Sequence, residues 1–238
     1  LITKYKIEFY LDPYYSRKDD NSNRKIVNEV VKAFGNDLKK IKQESLLIYF
    51  GCMSKYKLSN LRGWTYGIVL IRGTQEYNDF VKENQPEIKL ISYFKTFIYF
   101  IYLNDNIRKA INKIEKVETI AHELQHVLQY INLPIQTNKK HTKLFEYYSS
   151  RKLNYWDLPK EVDALRKSKY ICYKMFDQKT IDSFYDEKID YYAQISETQA
   201  YYKRLKYIDL DTPCDMNDLT GDIDKLYEAH ENDIQSNL

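Results

Sequence analysis

Apolar and polar positions follow two different periods along this chain, and the change falls near its middle. "KYKIEFYL" alternates residue by residue, the pattern of a half-buried strand. "NRKIVNEVVKAFG" then sets Ile26, Val27, Val30, Val31 and Phe34 at helical spacing, with Gly35 as the stop. "SLLIYFGCM" and "WTYGIVLIRG" are short β-branched and aromatic runs bounded by glycine, and both predict strands. A short helix is expected at "TQEYNDFVKEN", closed by Pro86. "TFIYFIYLND", residues 96 to 105, is the strongest strand signal, and it ends in Asn104 and Asp105, residues suited to starting a helix.

From there to Ile131 the pattern is helical, and Asn132 and Pro134 stop it. At about 100° per residue, Val117, Ile120, Ala121, Leu124, Val127, Leu128 and Ile131 form one apolar stripe. His122 and His126 fall on the opposite, solvent side, with Glu123 at the margin. After the polar, Lys-rich link "PIQTNKKHTK", the second half carries helical patterns and few strand signals. The expected class is therefore α+β, as one domain over 1–238. A mixed N-terminal α/β lobe with a small sheet would occupy 1–131, ending in a helix at about 106–131. A mainly helical lobe would occupy 132–238.

Composition narrows the partners. Hydrophobic residues at 43% and charged residues at 30% suit a folded chain. The balance of 37 basic and 34 acidic residues, net +3, is too even to recommend nucleic acid as a partner. The basic residues form no arm or tail. Cys52, Cys172 and Cys214 are odd in number, and no pair has metal-ligand spacing. A reducing, intracellular or cytoplasmic setting is expected. No apolar run approaches the roughly 18 residues of a membrane span, and "LITKYKIEFYL" lacks the apolar centre of a signal peptide. The chain starts at Leu1 rather than Met, which leaves room for a removed upstream segment.

Chemistry concentrates in "KVETIAHELQHVLQYINLP", residues 116 to 134, where two of the four histidines stand four apart with Glu123 after the first. Imidazoles at that spacing project from one helical face into one coordination sphere, which suits zinc. The intervening glutamate can reach a water held there. Zinc lowers that water's pKa to about 7, and the carboxylate takes its proton as it attacks a polarised carbonyl, then passes the proton to the leaving amine. The alternative is a pair of exposed polar residues on an amphipathic helix.

At these residues the chain resembles the zincin metallopeptidases. The order "FIYFIYLND" then "ETIAHELQHVLQY" is similar to the edge strand and active-site helix of that clan. The nearer likeness is to compact gluzincin-type members, including small bacterial and phage metallopeptidases that cleave repressors. It covers residues 96 to 131 and reaches weakly to about 171. It implies a zincin-like fold, one Zn2+ per chain and a third ligand from a glutamate on a later helix, often followed three residues on by alanine. Glu161, in "LPKEVDA", is the first choice, and Glu197, in "SETQA", is the alternative. A third histidine six residues after His126, the metzincin pattern, is absent, since position 132 is Asn. So is the aspartate four residues after the glutamate that thermolysin-like enzymes use to orient the first histidine. Leu165 and Tyr201 stand in those places.

Other candidates are weaker. His141 in the Lys-rich link and His230 in an acidic helix are expected to be solvated. Tyr147, Tyr148, Tyr155, Tyr201 and Tyr202 could each offer a phenol to a developing oxyanion, but among 24 tyrosines packing is the commoner role. The expected function is a zinc-dependent endopeptidase acting on a protein or peptide substrate, with His122, His126 and Glu161 on the metal and Glu123 as general base and acid. The rival is a non-catalytic, zinc-stabilised binding protein on the same fold. If residues 97–103 form an edge strand, their free backbone groups can pair with an extended substrate.

Overall fold

The computed structural model describes residues 7–11, 17–41, 46–51, 67–83, 99–104, 112–210 and 215–236. In chain order the first elements are strand β1 (Ile7–Leu11), helix α1 (Arg17–Phe34) with a 3-10 extension (Gly35–Ile41), β2 (Leu46–Gly51), β3 (Gly67–Ile71), α2 (Gln75–Glu83) and β4 (Tyr99–Asn104). Helices α3 (Lys113–Asn132), α4 (Ile135–Ser150), α5 (Pro159–Met175), α6 (Gln178–Tyr191), α7 (Ser196–Tyr207) and α8 (Met216–Ser236) follow, with a short 3-10 turn at Tyr155–Asp157 before α5. By contact density the chain divides into Leu1–Val127 and Leu128–Leu238. The division falls inside α3, which is one unbroken helix. Among the described residues, no helix is long and apolar enough to cross a membrane.

The expected α+β class is corrected by the balance of these elements. The described residues are predominantly α-helical: eight α-helices hold most of them and nearly all of those that are buried. Among the described residues, strand is confined to four stretches of five or six residues. The sequence expectation leaned on the β-branched runs and underweighted helix in polar segments. The supposed link at "PIQTNKKHTK" is in fact the first part of α4. Its Thr137, His141 and Leu144 are buried at helical spacing, and its first turn follows Pro134, whose fixed φ suits a helix start. Likewise, "IDYYAQISETQAYYKRLKYI" is two helices, α6 and α7, broken between Tyr192 and Ile195.

In the first unit the strands pair in the order β1-β2-β4-β3, with β1, β2 and β4 parallel and β3 antiparallel to β4. Ile101 faces Ile48 on one side and Val69 on the other. The edge position that the resemblance implies for residues 97–103, one of two left open by the sequence, is not the one found: β4 is hydrogen-bonded on both sides, and residues 97 and 98 lie outside the described residues. Its apolar run suits a strand with covered faces, and Ile101 is fully buried. Pairing of a substrate with β4 is ruled out, because its backbone groups are already taken.

Helix α1 buries Ile26, Val27, Val30 and Phe34 and ends at Gly35, whose φ of +59° lies in the left-handed region that glycine adopts without strain. Lys113 and Lys116, in the first turn of α3, reach Glu29 at 2.6 Å and Asn23 at 3.0 Å on α1. Helix α3 itself starts later than expected. Asn112, not Asn104 or Asp105, supplies the cap, its Oδ1 accepting from the Ile114 N–H at 2.8 Å.

Among its described residues, the regular elements of the second unit are all helices. Leu133, Leu144, Leu158, Leu219 and Ile223 form an apolar cluster. Lys140 to Asp224 at 2.8 Å and Lys143 to the Tyr227 hydroxyl at 2.9 Å tie α4 to α8. Tyr192 and Tyr202 stack with centroids 5.9 Å apart, joining the end of α6 to α7. Lys169 on α5 donates to the carbonyls of Lys206 and Ile208, covering the C-terminal end of α7.

Candidate metal centre

Helix α3 carries the chemistry, and its environment is not the expected one. The apolar stripe is buried as predicted from its period: Val117, Ile120, Ala121, Leu124 and Val127 have no exposed surface. The opposite side is covered too. Glu118, Thr119, His122, Glu123, Gln125 and Gln129 all retain 8% or less of their surface. The solvent-side placement of His122 is therefore corrected, while His126 is partly exposed. Periodicity identifies the greasier side of a helix, but it cannot say whether the polar side is covered by another element. Buried polar groups must be matched by partners or ligands.

The two imidazoles approach through their Nε2 atoms at 3.0 Å, with rings near perpendicular at 84° and centroids 4.7 Å apart. Two imidazole nitrogens bound to one tetrahedral zinc stand roughly 3.3 Å apart, given bonds of 2.0–2.1 Å. The observed spacing is close to that. The same distance allows one ring to donate an N–H to the other when no ion is bound.

Glu161 joins them. One ligand atom each from His122, His126 and Glu161 lies within 4.8 Å of the other two. Glu161 sits in the first turn of α5, at the third residue after Leu158, with Pro159 at the first helical position. Ala164, three residues on, is fully buried. Glu123 is buried to 8% exposure but does not belong to this donor group. Glu197 lies at the start of α7, and its side chain falls outside the described residues.

The first turn of α5 is held by side chains that the sequence reading did not single out. Gln129, fully buried and three residues beyond His126, donates from Nε2 to the Lys160 carbonyl at 2.8 Å and to Asp163 Oδ2 at 2.7 Å. Lys160 donates from Nζ to Asn138 Oδ1 at 2.7 Å. Asn138 in turn donates to the Leu133 carbonyl at 3.3 Å, just past the end of α3. Burial lowers the Lys160 ammonium to about 8, against a raising effect from Glu161. The available signal was the spacing: a glutamine at i+3 from a histidine occupies the same helical face.

The remaining candidates are placed elsewhere. His141 is buried in α4 rather than solvated, because the supposed link is helix. His230 is partly buried and packs against Tyr147 with ring centroids 4.0 Å apart, also against expectation. Tyr155 and Tyr201 both pack on Trp156, at 4.1 and 4.5 Å, and Tyr202 is fully buried. Packing accounts for these three phenols. Tyr147 and Tyr148 are partly exposed neighbours on α4. No family model matches the chain, and no curated protein or solved structure matches it either.

Proposed function

We propose that this protein is a zinc-dependent peptidase in which His122, His126 and Glu161 hold one Zn2+ and Glu123 is the general base. The observation that carries this reading is the convergence of the three donors within 4.8 Å, with the paired Nε2 atoms at 3.0 Å. Two imidazoles and one carboxylate make the donor set of a catalytic rather than a closed structural zinc site, since a fourth position is left for water or substrate. The ion, when bound, supplies Lewis acidity that polarises a peptide carbonyl and brings water's pKa to about 7. Glu123 follows His122 directly on α3, outside the donor group but beside it in sequence. Its carboxylate takes the proton of the attacking water and hands it to the departing amine. The buried flank of α3 limits bulk water around that carboxylate, which strengthens its electrostatic influence.

The rival, a non-catalytic zinc-stabilised binding protein, needs the three ligands but no base. Metal analysis of the purified full chain should find close to one equivalent of zinc. His126→Ala should remove it, and Glu161→Ala should weaken it far more than Glu197→Ala. A proteome incubated with the protein should show new peptide termini that vanish with Glu123→Gln. Zinc retained with no cleavage in any such digest would favour the binding protein, and a metal-free wild-type chain would overturn both.

A further inference from the structure

The third ligand comes from a different helix than the histidine pair, so its position depends on how firmly α5 is registered against α3. That registration has an identifiable device. Gln129 is fully buried, and its amide nitrogen makes two short bonds, to the Lys160 carbonyl at 2.8 Å and Asp163 Oδ2 at 2.7 Å. Lys160 and Asp163 lie on either side of Glu161 in sequence, so the amide grips the turn that presents the ligand. Both partners are acceptors, so only the NH2 end of the glutamine can face them. Asp163 is itself buried to 3% exposure. Such a carboxylate needs donors, and the glutamine supplies one. A second tie, Lys160 Nζ to Asn138 Oδ1 at 2.7 Å, braces the same turn from α4.

We propose that Gln129 is a positioning residue for the metal site. Through Lys160 and Asp163 it fixes the turn that carries Glu161, and so sets the metal affinity and coordination geometry of the donor group. This rests on the metal reading above. The role is distinct from general packing. A leucine would fill the same space without fixing where Glu161 stands. It would also leave Asp163 and the Lys160 carbonyl one donor short.

The test measures metal rather than turnover, on the full chain. Zinc affinity is obtained by competition with a chelator, and geometry from the visible absorption of the Co2+-substituted protein. Gln129→Leu should lower zinc affinity about 10–100-fold, the range typical of groups that orient ligands, and should change the cobalt spectrum. Gln129→Glu places two carboxylates against each other and should be at least as damaging. Adding Asp163→Asn to it restores a donor across the contact with residue 163, though not to the Lys160 carbonyl, and should recover part of the affinity lost in Gln129→Glu. Because Gln129→Leu could unfold the chain, the rescue by the double variant is the deciding arm. Wild-type affinity and spectrum in Gln129→Leu, with only thermal stability lowered, would overturn the positioning role. No rescue by Asp163→Asn would also overturn it. A wild-type chain that binds neither zinc nor cobalt would overturn the metal reading itself, a result that can be told apart from the other two.

Discussion

Leu144 and Gln129 are both completely buried, yet their surroundings differ. Leu144 sits among Leu133, Leu158, Leu219 and Ile223, where contact with any apolar neighbour of the right size is favourable. Gln129 sits among carbonyl and carboxylate oxygens, where only a donor at the right place offsets the cost of leaving water. The leucine cluster is insensitive to direction and can be repacked. The polar side of α3 is directional, and each member constrains the next. A chain gains stability from the first arrangement and specificity of geometry from the second. The comparison predicts that substitutions in one region will be read in melting temperature, and in the other through metal and turnover.

The largest effect is expected from Glu123→Gln. The amide accepts no proton, so turnover should fall by about 10²–10⁴-fold, the range for a general acid–base group. Zinc content and melting temperature should stay near wild type, because the carboxylate is outside the donor group. If zinc is lost as completely as in His122→Ala, Glu123 belongs to the coordination or the fold, and its assignment as a base fails.

Next in size is Leu144→Ala, which should destabilise the chain by about 2–5 kcal/mol through lost burial and the cavity left behind. Chemical denaturation would measure this. Zinc affinity of the folded fraction should change far less than stability, since the cluster contains none of His122, His126, Glu161, Gln129 and Asp163. A large drop in affinity would mean that the two regions are coupled, and the division drawn between them would fail.

How much of this was legible in the sequence depends on the range of each interaction. The His122–Glu123–His126 spacing is local, so one helix fixes it and periodicity reveals it. The grouping with Glu161 is non-local, and it followed from the resemblance rather than from any pattern. The depth of α3 was illegible because its apolar stripe predicts one covered side, whereas covering the polar side depends on which helices come to it. Helix α4 was hidden by composition: its Lys, Asn and Thr residues read as a linker, although Thr137, His141 and Leu144 keep the helical period. The break between α6 and α7 contains neither glycine nor proline, so nothing local announces it. The place of β4 was likewise undetermined. Its apolar run suits a strand covered on both faces, but which strands flank it is a matter of pairing across the chain.

The smallest effect expected comes from a polar contact on α5 that lacks the enclosure around Gln129. The Tyr173 hydroxyl donates to Asp182 Oδ1 at 2.9 Å, and both residues are half-exposed. Burial, with the Asp182 carboxylate adding to it, raises the phenol to about 12 from the ordinary 10.0. A group whose folded pKa lies above its unfolded value contributes stability that is intact below the unfolded pKa. Here that contribution is present below about pH 10 and is lost as pH rises through about 12. An ultraviolet titration should therefore show a late-ionising phenol that is missing in Tyr173→Phe. Asp182→Asn should bring that phenol only part of the way back, because burial, the largest single cause, remains. Between pH 10 and 12 the wild type should lose slightly more stability than Tyr173→Phe, a small difference since solvent screens the pair. A full return of the phenol to its ordinary value in Asp182→Asn would make the carboxylate the larger cause. Charge would then outweigh burial even at a half-exposed site, and the contrast with the enclosed Gln129 network would weaken.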